Sequence, residues 1–409
     1  MIRVLFLIED GPFRFDHRVR REARALRDAG AAVTVICPRY AGEPWHDVCD
    51  GIHVYRYWTP AWSRGLLSYL FEYGVSVAAQ AILTAWVAWR HGFDVIHAAN
   101  PPDILWLVAL PYRLVGGVRF VFDHHDLTPE LYIDRFHRTD RGMLALLRSL
   151  ERASFALADH VITTNDTYRA VAMQRGGKRA DEVTVVRNGP DARDFPDLPP
   201  NPAIRALGRI MVGYLGNMNP QDGVDRFVEM AHAIRHEHGR TDIGFVMIGE
   251  GGSFTELRRM RDALGLADAV VMTGRLPWDE VIATLRATDI CVQPDPPGQL
   301  NDRSTMNKLM EYMALGRAVV AHDLAETRVS GGNAVHYARG DTVADLTAAV
   351  LTLADDPLRR AELQRAALRR VRDVLGWHHH SPRLLAVYEN LFPGQLRQAV
   401  GVAAGEPTG

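Results

Sequence analysis

A segment late in the chain carries the residue types that bind phosphate. Residues 301–323 read NDRSTMNKLMEYMALGRAVVAHD, a helical pattern that runs to Leu315 and is closed by Gly316. Its N-cap candidates are Ser304, Thr305 and Asn307. A helix N-terminus offers free backbone N–H groups and the positive end of a dipole, so it attracts anions. Lys308 would lie in the first turn, where a cation is unfavourable unless an anion binds nearby.

Two further features of Lys308 favour a bound ligand. It is one of only two lysines, the other being Lys178, whereas all remaining basic residues are arginines. Glu311 follows three positions later and so shares its helix face. Such pairs are most often solvated surface ion pairs. However, Met306 and the apolar residues around the pair indicate a buried helix, and Arg303 adds positive charge just before it. The pattern therefore favours a binding role.

A second polar group, DHHDLTPE at residues 123–130, follows a buried apolar run. His125 is the stronger catalytic candidate, whereas His124 fits catalysis and packing against the strand equally well. Asp126 or Thr128 would alternatively cap the next helix. A metal site needs three or four ligands, and no partner group completes one here, so we expect no metal.

The loop after the first apolar run, EDGPFRFDHRVRREA, contains Gly11 and Asp16. It lacks the G-x-G-x-x-G pattern of dinucleotide-binding proteins, and no G-x-x-x-x-G-K-[ST] occurs in the chain. These absences argue against a dehydrogenase and a P-loop kinase. Gly11 by itself requires only a tight turn.

Short apolar runs alternate with longer amphipathic segments along the whole chain. The strand candidates lie at 4–9, 33–37, 94–100, 119–125, 160–165, 183–189, 210–216, 243–251, 269–274, 290–294, 318–323 and 334–338. This alternation predicts an α/β fold whose parallel sheets carry helices on both faces. Five prolines between residues 188 and 208 mark a linker. We therefore expect two doubly wound, Rossmann-like domains facing across a cleft, with ligands at the strand carboxyl ends.

The composition is that of an ordinary soluble protein. At about 100–200 residues per domain, the 409 residues correspond to two or three domains. A formal net charge of -2 argues against a nucleic-acid partner. Three cysteines cannot form a disulfide framework, which suits a reducing compartment, and we expect a cytoplasmic protein.

Residues 66–89 form the longest apolar stretch and are interrupted by Glu72 and Gln80. A membrane-spanning helix needs about 20 apolar residues, so the stretch is long enough. The polar interruptions favour a buried or interface-lying helix instead. A core helix of the first domain is favoured, and the alternative is a surface that contacts a lipid acceptor or the inner membrane face peripherally.

These motifs together resemble the retaining glycosyltransferases of family 4, which have the GT-B fold. Matching segments include DHRVRREARALRDAGAAVTVIC, FVFDHHDLTPELY, VGYLGNMNPQDGVD and MNKLMEYMALGRAVVA, and they cover nearly the whole chain. The arrangement is similar to the branch that builds bacterial surface polysaccharides. The resemblance implies an acceptor-side domain at 1–190 with 380–400 packing back on it. It also implies a linker at 191–208 and a nucleotide-sugar-binding domain at 209–378.

The resemblance implies a nucleotide-sugar donor, usually a UDP-sugar, and a glycan, lipid-linked or small-molecule acceptor, without a cofactor. The positions implied to bind the donor are Gly11, Asn217, Arg275, Leu276, Arg303, Thr305, Met306, Asn307 and Glu311. Those implied to act in catalysis are Asp16, His124, His125 and Lys308. Within this set, Glu311 would hold the ribose, the helix start with Lys308 the diphosphate, and His125 the donor sugar. The loop around Gly11 and Asp16 would close over the donor.

Two departures from the family pattern concern charge. Arg303 stands where the first acid of a Glu-x7-Glu motif is expected. Asn217, Gln221 and Asp222 occupy the segment where many members carry an arginine and a lysine for the diphosphate. Lys308 and the helix start would then meet that charge. The alternatives are a nucleotide-sugar epimerase and a non-catalytic nucleotide-sugar-binding protein.

Overall fold

The computed structural model describes residues 1–60 and 66–397. They form two compact units. Unit 1 contains Met1–Thr128, Arg141–Val186 and the described residues from His380 onward, and unit 2 contains Pro129–Asp140 and Arg187–His379. Residues 191–208, the predicted linker, group with unit 2. Unit 1 is thus assembled from three separate stretches of the chain.

The centre of unit 1 is an eight-stranded sheet. Its strands are β1 (Arg3–Leu7), β2 (Ala32–Pro38), β3 (His46–Cys49), β4 (Ile52–Tyr57), β5 (Val95–Ala99), β6 (Arg119–His124), β7 (His160–Thr163) and β8 (Val183–Val185). Their order is β3-β4-β2-β1-β5-β6-β7-β8, parallel except for the β3–β4 pair. The apolar runs become strands buried on both faces, as a helix-covered parallel sheet requires.

The antiparallel pair β3–β4 lies at one edge of this sheet and was not predicted. The strands are joined by Asp50 and Gly51, which have φ angles of 53° and 74°. An Asp-Gly pair with two positive φ angles is the signature of a tight β-hairpin turn. The signal was present in the sequence, but the short polar strands around it lacked an apolar run.

The helices of unit 1 lie between its strands and at the end of the chain. They are α1 (His17–Asp28), α2 (Leu66–Arg90), α3 (Trp106–Gly116), α4 (Thr128–Phe136, of which Pro129–Phe136 belongs to unit 2), α5 (Arg141–Leu157), α6 (Asp166–Gln174) and α15 (Ser381–Leu391). α15 packs against α1 in unit 1. The hydroxyl of Tyr388 on α15 lies 2.7 Å from Nδ1 of His97 on β5. The last helix therefore reaches the centre of the first sheet.

Helix α2 is not a core helix, so that prediction is wrong. Within it, Phe71–Arg90 is long and apolar enough to cross a membrane by length and composition, yet only 22% of its most apolar window is buried. Of its described residues, four are fully buried: Ser76, Gln80 and Thr84 are polar, and the fourth, Val87, joins the apolar cluster of unit 1. Ser76 Oγ donates to Glu9 Oε1 at 2.9 Å, and Gln80 Nε2 donates to the Ile8 carbonyl at 3.1 Å. The polar interruptions thus face the sheet rather than solvent.

Glu9, at the end of β1, offers a test of this buried polar contact. Burial raises the pKa of its carboxyl to about 8, so the folded protein holds a proton that the unfolded chain releases above its ordinary pKa of 4.5. Stability is therefore lost as pH rises from 4.5 through 8. We expect the unfolding free energy of Glu9→Gln to exceed that of wild type by about 1–3 kcal/mol at pH 8. At pH 5 the difference in unfolding free energy should be smaller. Urea unfolding at both pH values measures this, and an equal gain at the two would contradict it.

Unit 2 contains a six-stranded, all-parallel sheet. Its strands are β9 (Ile210–Leu215), β10 (Ile243–Ile248), β11 (Val270–Gly274), β12 (Ile290–Gln293), β13 (Ala318–Ala321) and β14 (Val335–Tyr337), in the order β11-β10-β9-β12-β13-β14. Its further helices are α7 (Pro202–Arg205), α8 (Val224–His232), α9 (Phe254–Ala263), α10 (Trp278–Arg286), α11 (Asn307–Ala314), α12 (Ala325–Gly331), α13 (Val343–Asp355) and α14 (Pro357–Arg370). Apolar clusters cover both faces of the sheet. The two predicted Rossmann-like α/β sheets are confirmed.

Candidate functional site

Two adjacent histidines at the end of β6 are separated by the alternation of the strand. His124 is fully buried among aromatic side chains, including Phe155, whose ring centroid lies 4.9 Å away. His125 follows on the opposite face with 16% of its side chain exposed. Its Nδ1 lies 3.3 Å from Oδ2 of Asp123, which points the same way. The structure therefore does not bring His124 together with the other candidates.

Asp123 is fully buried and held by the guanidinium of Arg18 on α1. Arg18 Nε and Nη2 donate to its two carboxylate oxygens at 2.7 and 2.6 Å, a bidentate pair. Arg18 Nη1 also donates to the Val186 carbonyl at 2.8 Å. The Arg18 guanidinium, itself held by the Val186 carbonyl, therefore fixes the Asp123 carboxylate. The carboxylate in turn orients His125.

The charges of this group follow from competition between burial and pairing. Burial opposes protonation of His125, but the hydrogen bond to Asp123 outweighs it and raises the pKa of the imidazole to about 9. Burial would raise the pKa of Asp123, yet Arg18 and the neighbouring histidines hold it well below its usual range. At neutral pH His125 is therefore an imidazolium, a hydrogen-bond donor suited to a developing negative charge.

Glu22, His97 and Asp123 have ligand atoms within 4.8 Å of one another, which is the spacing of a metal site. Arg18 already supplies positive charge there, with Nη2 3.1 Å from Glu22 and 2.6 Å from Asp123. Burial raises the pKa of Glu22 to about 8, so this carboxyl stays protonated near neutral pH. The positive charge of Arg18 is thus balanced within the cluster, and the Asp123 carboxylate of the cluster supports His125.

Asn100, at the end of β5, holds the backbone that carries His125. Its Oδ1 accepts from the backbone N–H groups of His125 and Asp126 at 2.8 and 3.1 Å. Its Nδ2 donates to Asp103 and to the Asp126 carbonyl. Asn100 is 1% exposed, and all of these bonds lie within unit 1. This clamp was missed by the sequence analysis.

The loop between β1 and α1 places the other two candidates of unit 1. Asp16 is the N-cap of α1, where its carboxylate accepts from the Val19 N–H at 2.9 Å. Burial raises its pKa, while the charge of His125 works in the opposite direction, so the two groups interact electrostatically. A side chain at Gly11 would meet open space, so its backbone is not closely approached. Asp16 thus has a structural role beside His125.

Lys308, the central candidate of unit 2, is buried in a cage of carboxylates. Its Nζ donates to both oxygens of Asp295 at 2.9 and 3.1 Å and lies 3.8 Å from Asp222. It also lies 5.2 Å from the centre of the Tyr214 ring. Burial would lower the pKa of Lys308, but Asp295 and Asp222 raise it. Gly216 lets the lysine pass, since a Cβ there would lie 3.2 Å from its Cε.

The helix that carries Lys308 begins at Asn307, and none of the three predicted caps directly precedes that start. α11 has Met306 as its N-cap, and this side chain makes no capping hydrogen bond. Ser304 instead donates to the Leu300 carbonyl at 2.8 Å, and Asn307 accepts from Asn188. The prediction of a Ser304, Thr305 or Asn307 cap is therefore wrong. A thioether cannot satisfy the N–H groups of the first turn, which leaves them suited to an anion.

The remaining candidates of unit 2 lie in varied settings. Glu311 is buried on the same helix as Lys308. Arg303 Nη1 lies 3.4 Å from the Glu130 carboxylate. Asn217 and Arg275 are exposed, and Leu276 packs against an apolar cluster. The residues that the sequence analysis missed are Asp295, at the carboxyl end of β12, and the Arg18 clamp on Asp123.

Comparison with known proteins agrees with this architecture. The family model described as "Glycosyl transferase 4-like domain" matches residues 16–189, and the one described as "Glycosyl transferases group 1" matches residues 209–356. A 2-deoxystreptamine N-acetyl-D-glucosaminyltransferase of Streptomyces fradiae is 29% identical over 316 residues. That alignment covers 72% of this chain and 70% of the relative.

Solved structures show the same fold. A sucrose-phosphate synthase from Thermosynechococcus elongatus has a TM-score of 0.75 at 17% identity and covers 96% of this chain and 99% of its own. The Anabaena protein HepE in complex with UDP-glucose has a TM-score of 0.66 at 15% identity, covering 95% of this chain and 100% of its own. The two family models together match most of the chain. The chain therefore belongs to the family 4-like glycosyltransferases of the GT-B fold.

Proposed function

We propose that this glycosyltransferase is a retaining, metal-independent enzyme that uses a nucleotide-sugar, by preference a UDP-sugar. The transferred group would be a hexosyl or N-acetylhexosaminyl group, and the acceptor a glycan, a lipid-linked sugar or a small molecule. The observation that carries the donor proposal is the start of α11, where buried Lys308 stands at an N-terminus without a side-chain cap. The UDP-glucose complex of the structurally similar HepE supports a UDP donor.

Each donor group has a proposed partner in unit 2. Lys308 and the first-turn N–H groups of α11 would meet the diphosphate, and buried Glu311 would accept from the ribose hydroxyls. The backbone from Gly274 to Leu276 would contact the base. Arg303 would add positive charge only if a ligand drew it from Glu130, because the two are paired here.

The chemistry would be carried by position and charge rather than by a covalent nucleophile. In a front-face transfer the departing phosphate oxygen takes the acceptor proton, so donor and acceptor must be held on one face of the sugar. Lys308 would stabilise the leaving diphosphate, and the His125 imidazolium of unit 1 would donate a hydrogen bond in the transfer step. These protein cations would make a metal unnecessary, so we expect turnover to persist in excess EDTA.

The carboxylates around Lys308 make donor affinity depend on pH. Burial and Asp295 raise the pKa of Asp222 to about 6, although Lys308 opposes the shift. A diphosphate anion nearby would raise it further, so binding takes up a proton above pH 6. We expect UDP-glucose affinity to fall as pH rises from 6 to 8, and Asp222→Asn to remove the fall. Calorimetric titration measures both proteins, and equal pH dependence would contradict the assignment.

One experiment separates the proposed transferase from its alternatives. UDP-, GDP- and dTDP-sugars are tested for binding and slow hydrolysis, and the anomeric form of the first-formed sugar is read by NMR. Hydrolysis with retention supports the proposal, whereas inversion overturns the mechanism. Conversion of UDP-GlcNAc alone to an epimer identifies an epimerase, and binding without any turnover a non-catalytic protein. Because nucleotide-sugars are cytoplasmic metabolites, we place the reaction in the cytoplasm.

A further inference from the structure

The polarity of α2 is the reverse of that expected for a helix covering a soluble sheet. Ser76, Gln80 and Thr84 follow one another at four-residue spacing and are all fully buried against the sheet. The exposed residues from 71 to 89 are Phe71, Gly74, Ala78, Ala81, Ile82, Ala85, Trp86 and Trp89. Every one of them is apolar. A surface helix in water normally shows the opposite arrangement.

The apolar surface continues onto α3, which packs beside α2. Its exposed residues are Leu107, Pro111, Leu114, Val115 and Gly116. Val115 is 91% exposed and Trp89 is 76% exposed. Scattered exposed apolar residues are common, but here every exposed residue of α3 and of residues 71–89 of α2 is apolar, and the two helices pack side by side, so these residues form a patch. Such a patch indicates a surface that another molecule or a membrane covers when the protein functions.

The charges around the patch indicate which kind of partner covers it. Arg90 ends α2, and Arg141, Arg148 and Arg152 are exposed on α5, which also packs against α3. The only acids in these three helices are Glu72 and Glu151, and neither is exposed. Glu151 is fully buried and paired with Arg175. Apolar side chains bordered by arginine, with tryptophan among them, match an anionic lipid surface.

Helix α2 is anchored to the sheet, which sets how it meets a bilayer. Gln80 Nε2 donates to the Ile8 carbonyl and to the Tyr57 hydroxyl, and Ser76 donates to Glu9. Crossing the membrane would break these bonds and place the polar stripe in hydrocarbon. We propose that the α2–α3 surface docks peripherally on an anionic bilayer, with its tryptophans at the headgroup level and the arginines of α5 against lipid phosphates. The docking is independent of the donor site in unit 2.

Vesicle flotation tests the proposal on the full chain without donor. Vesicles that mix phosphatidylcholine with the anionic lipid phosphatidylglycerol are compared with vesicles of pure phosphatidylcholine. We expect wild type to float with the anionic vesicles and Trp86→Ser/Trp89→Ser to lose about tenfold or more in affinity. Arg148→Glu/Arg152→Glu should lose binding mainly at low salt. A matched control, Leu358→Ser, changes an exposed leucine of unit 2 and should bind as wild type.

Donor hydrolysis and circular dichroism show that each variant is folded. Absence of wild-type flotation above the pure phosphatidylcholine level would overturn the proposal. So would equal flotation of wild type and the double tryptophan variant. A dimer that is lost in the tryptophan variant, without vesicle binding by wild type, would assign the surface to self-association instead.

Discussion

Exchanging Lys308 for methionine is expected to cut turnover about 10²–10³-fold, the cost of removing one preorganised charge from a transition state. In the proposed transfer the leaving diphosphate gains negative charge, and Lys308 is a buried cation at the start of α11. The same change strips Asp295, which is 1% exposed, of its counter-ion. An unpaired buried carboxylate costs about 3–5 kcal/mol of stability. The Asp295 contact therefore adds a loss of stability to the loss of turnover.

The double variant Lys308→Met/Asp295→Asn separates catalysis from folding. It replaces the ion pair by neutral side chains of similar size, so we expect most of the stability to return. Turnover should stay low because the cation is still missing. Urea midpoints and turnover with a saturating UDP-sugar measure the two effects. Recovery of wild-type turnover in the double variant would show that another group stabilises the leaving diphosphate.

Exchanging His125 for glutamine is expected to lower turnover about 10²–10³-fold with little change in stability. The side chain is partly exposed, and glutamine keeps a hydrogen-bond donor while removing the positive charge. With the imidazolium as the active form, wild-type turnover should fall as pH rises through 9. Asp123→Asn should move that fall to lower pH, since the carboxylate raises the pKa of His125. A pH–rate profile from 6 to 10 measures all three proteins.

The chain provides a matched control in the preceding residue. His124→Gln makes the same change on the opposite face of β6, in a fully buried site among aromatic rings. We expect it to reduce stability while the pH–rate profile keeps the wild-type shape. If His124→Gln and His125→Gln lost turnover alike, the effect would come from disturbing the strand and not from the imidazolium.

The parallel sheets were predictable because buried strands are continuous apolar runs, and all twelve predicted runs coincide to within a few residues with strands of the structure, which has fourteen in the part of the chain that it describes. Mean hydropathy could not predict which side of α2 faces the sheet, because it does not show whether the apolar residues point towards the sheet or towards solvent. A better signal was the spacing of Glu72, Ser76, Gln80 and Thr84, which places polar side chains on one stripe. In the structure that stripe faces the sheet, and Ser76 and Gln80 form hydrogen bonds with Glu9 and Ile8.

The site was predictable where its residues are close in sequence. Lys308 and Glu311 share one helix, and the alternation of β6 separates His124 from His125. The partners that hold them come from distant segments. Asp295 reaches Lys308 from the end of β12, and Asn100 reaches the His125 backbone from β5. Such contacts depend on strand order, which local patterns do not contain.

The hydrogen bond between His97 and Tyr388 joins residues 291 positions apart. A ribosome adding about 5–20 residues per second takes about 15–60 s to cover that distance. During that interval the strands β6 to β8 and the whole of unit 2 are made, before α15 emerges. The first half of the enzyme is therefore the last to be completed. A truncation before residue 381 would remove α15 and its contact with His97, even though every candidate catalytic side chain had been made.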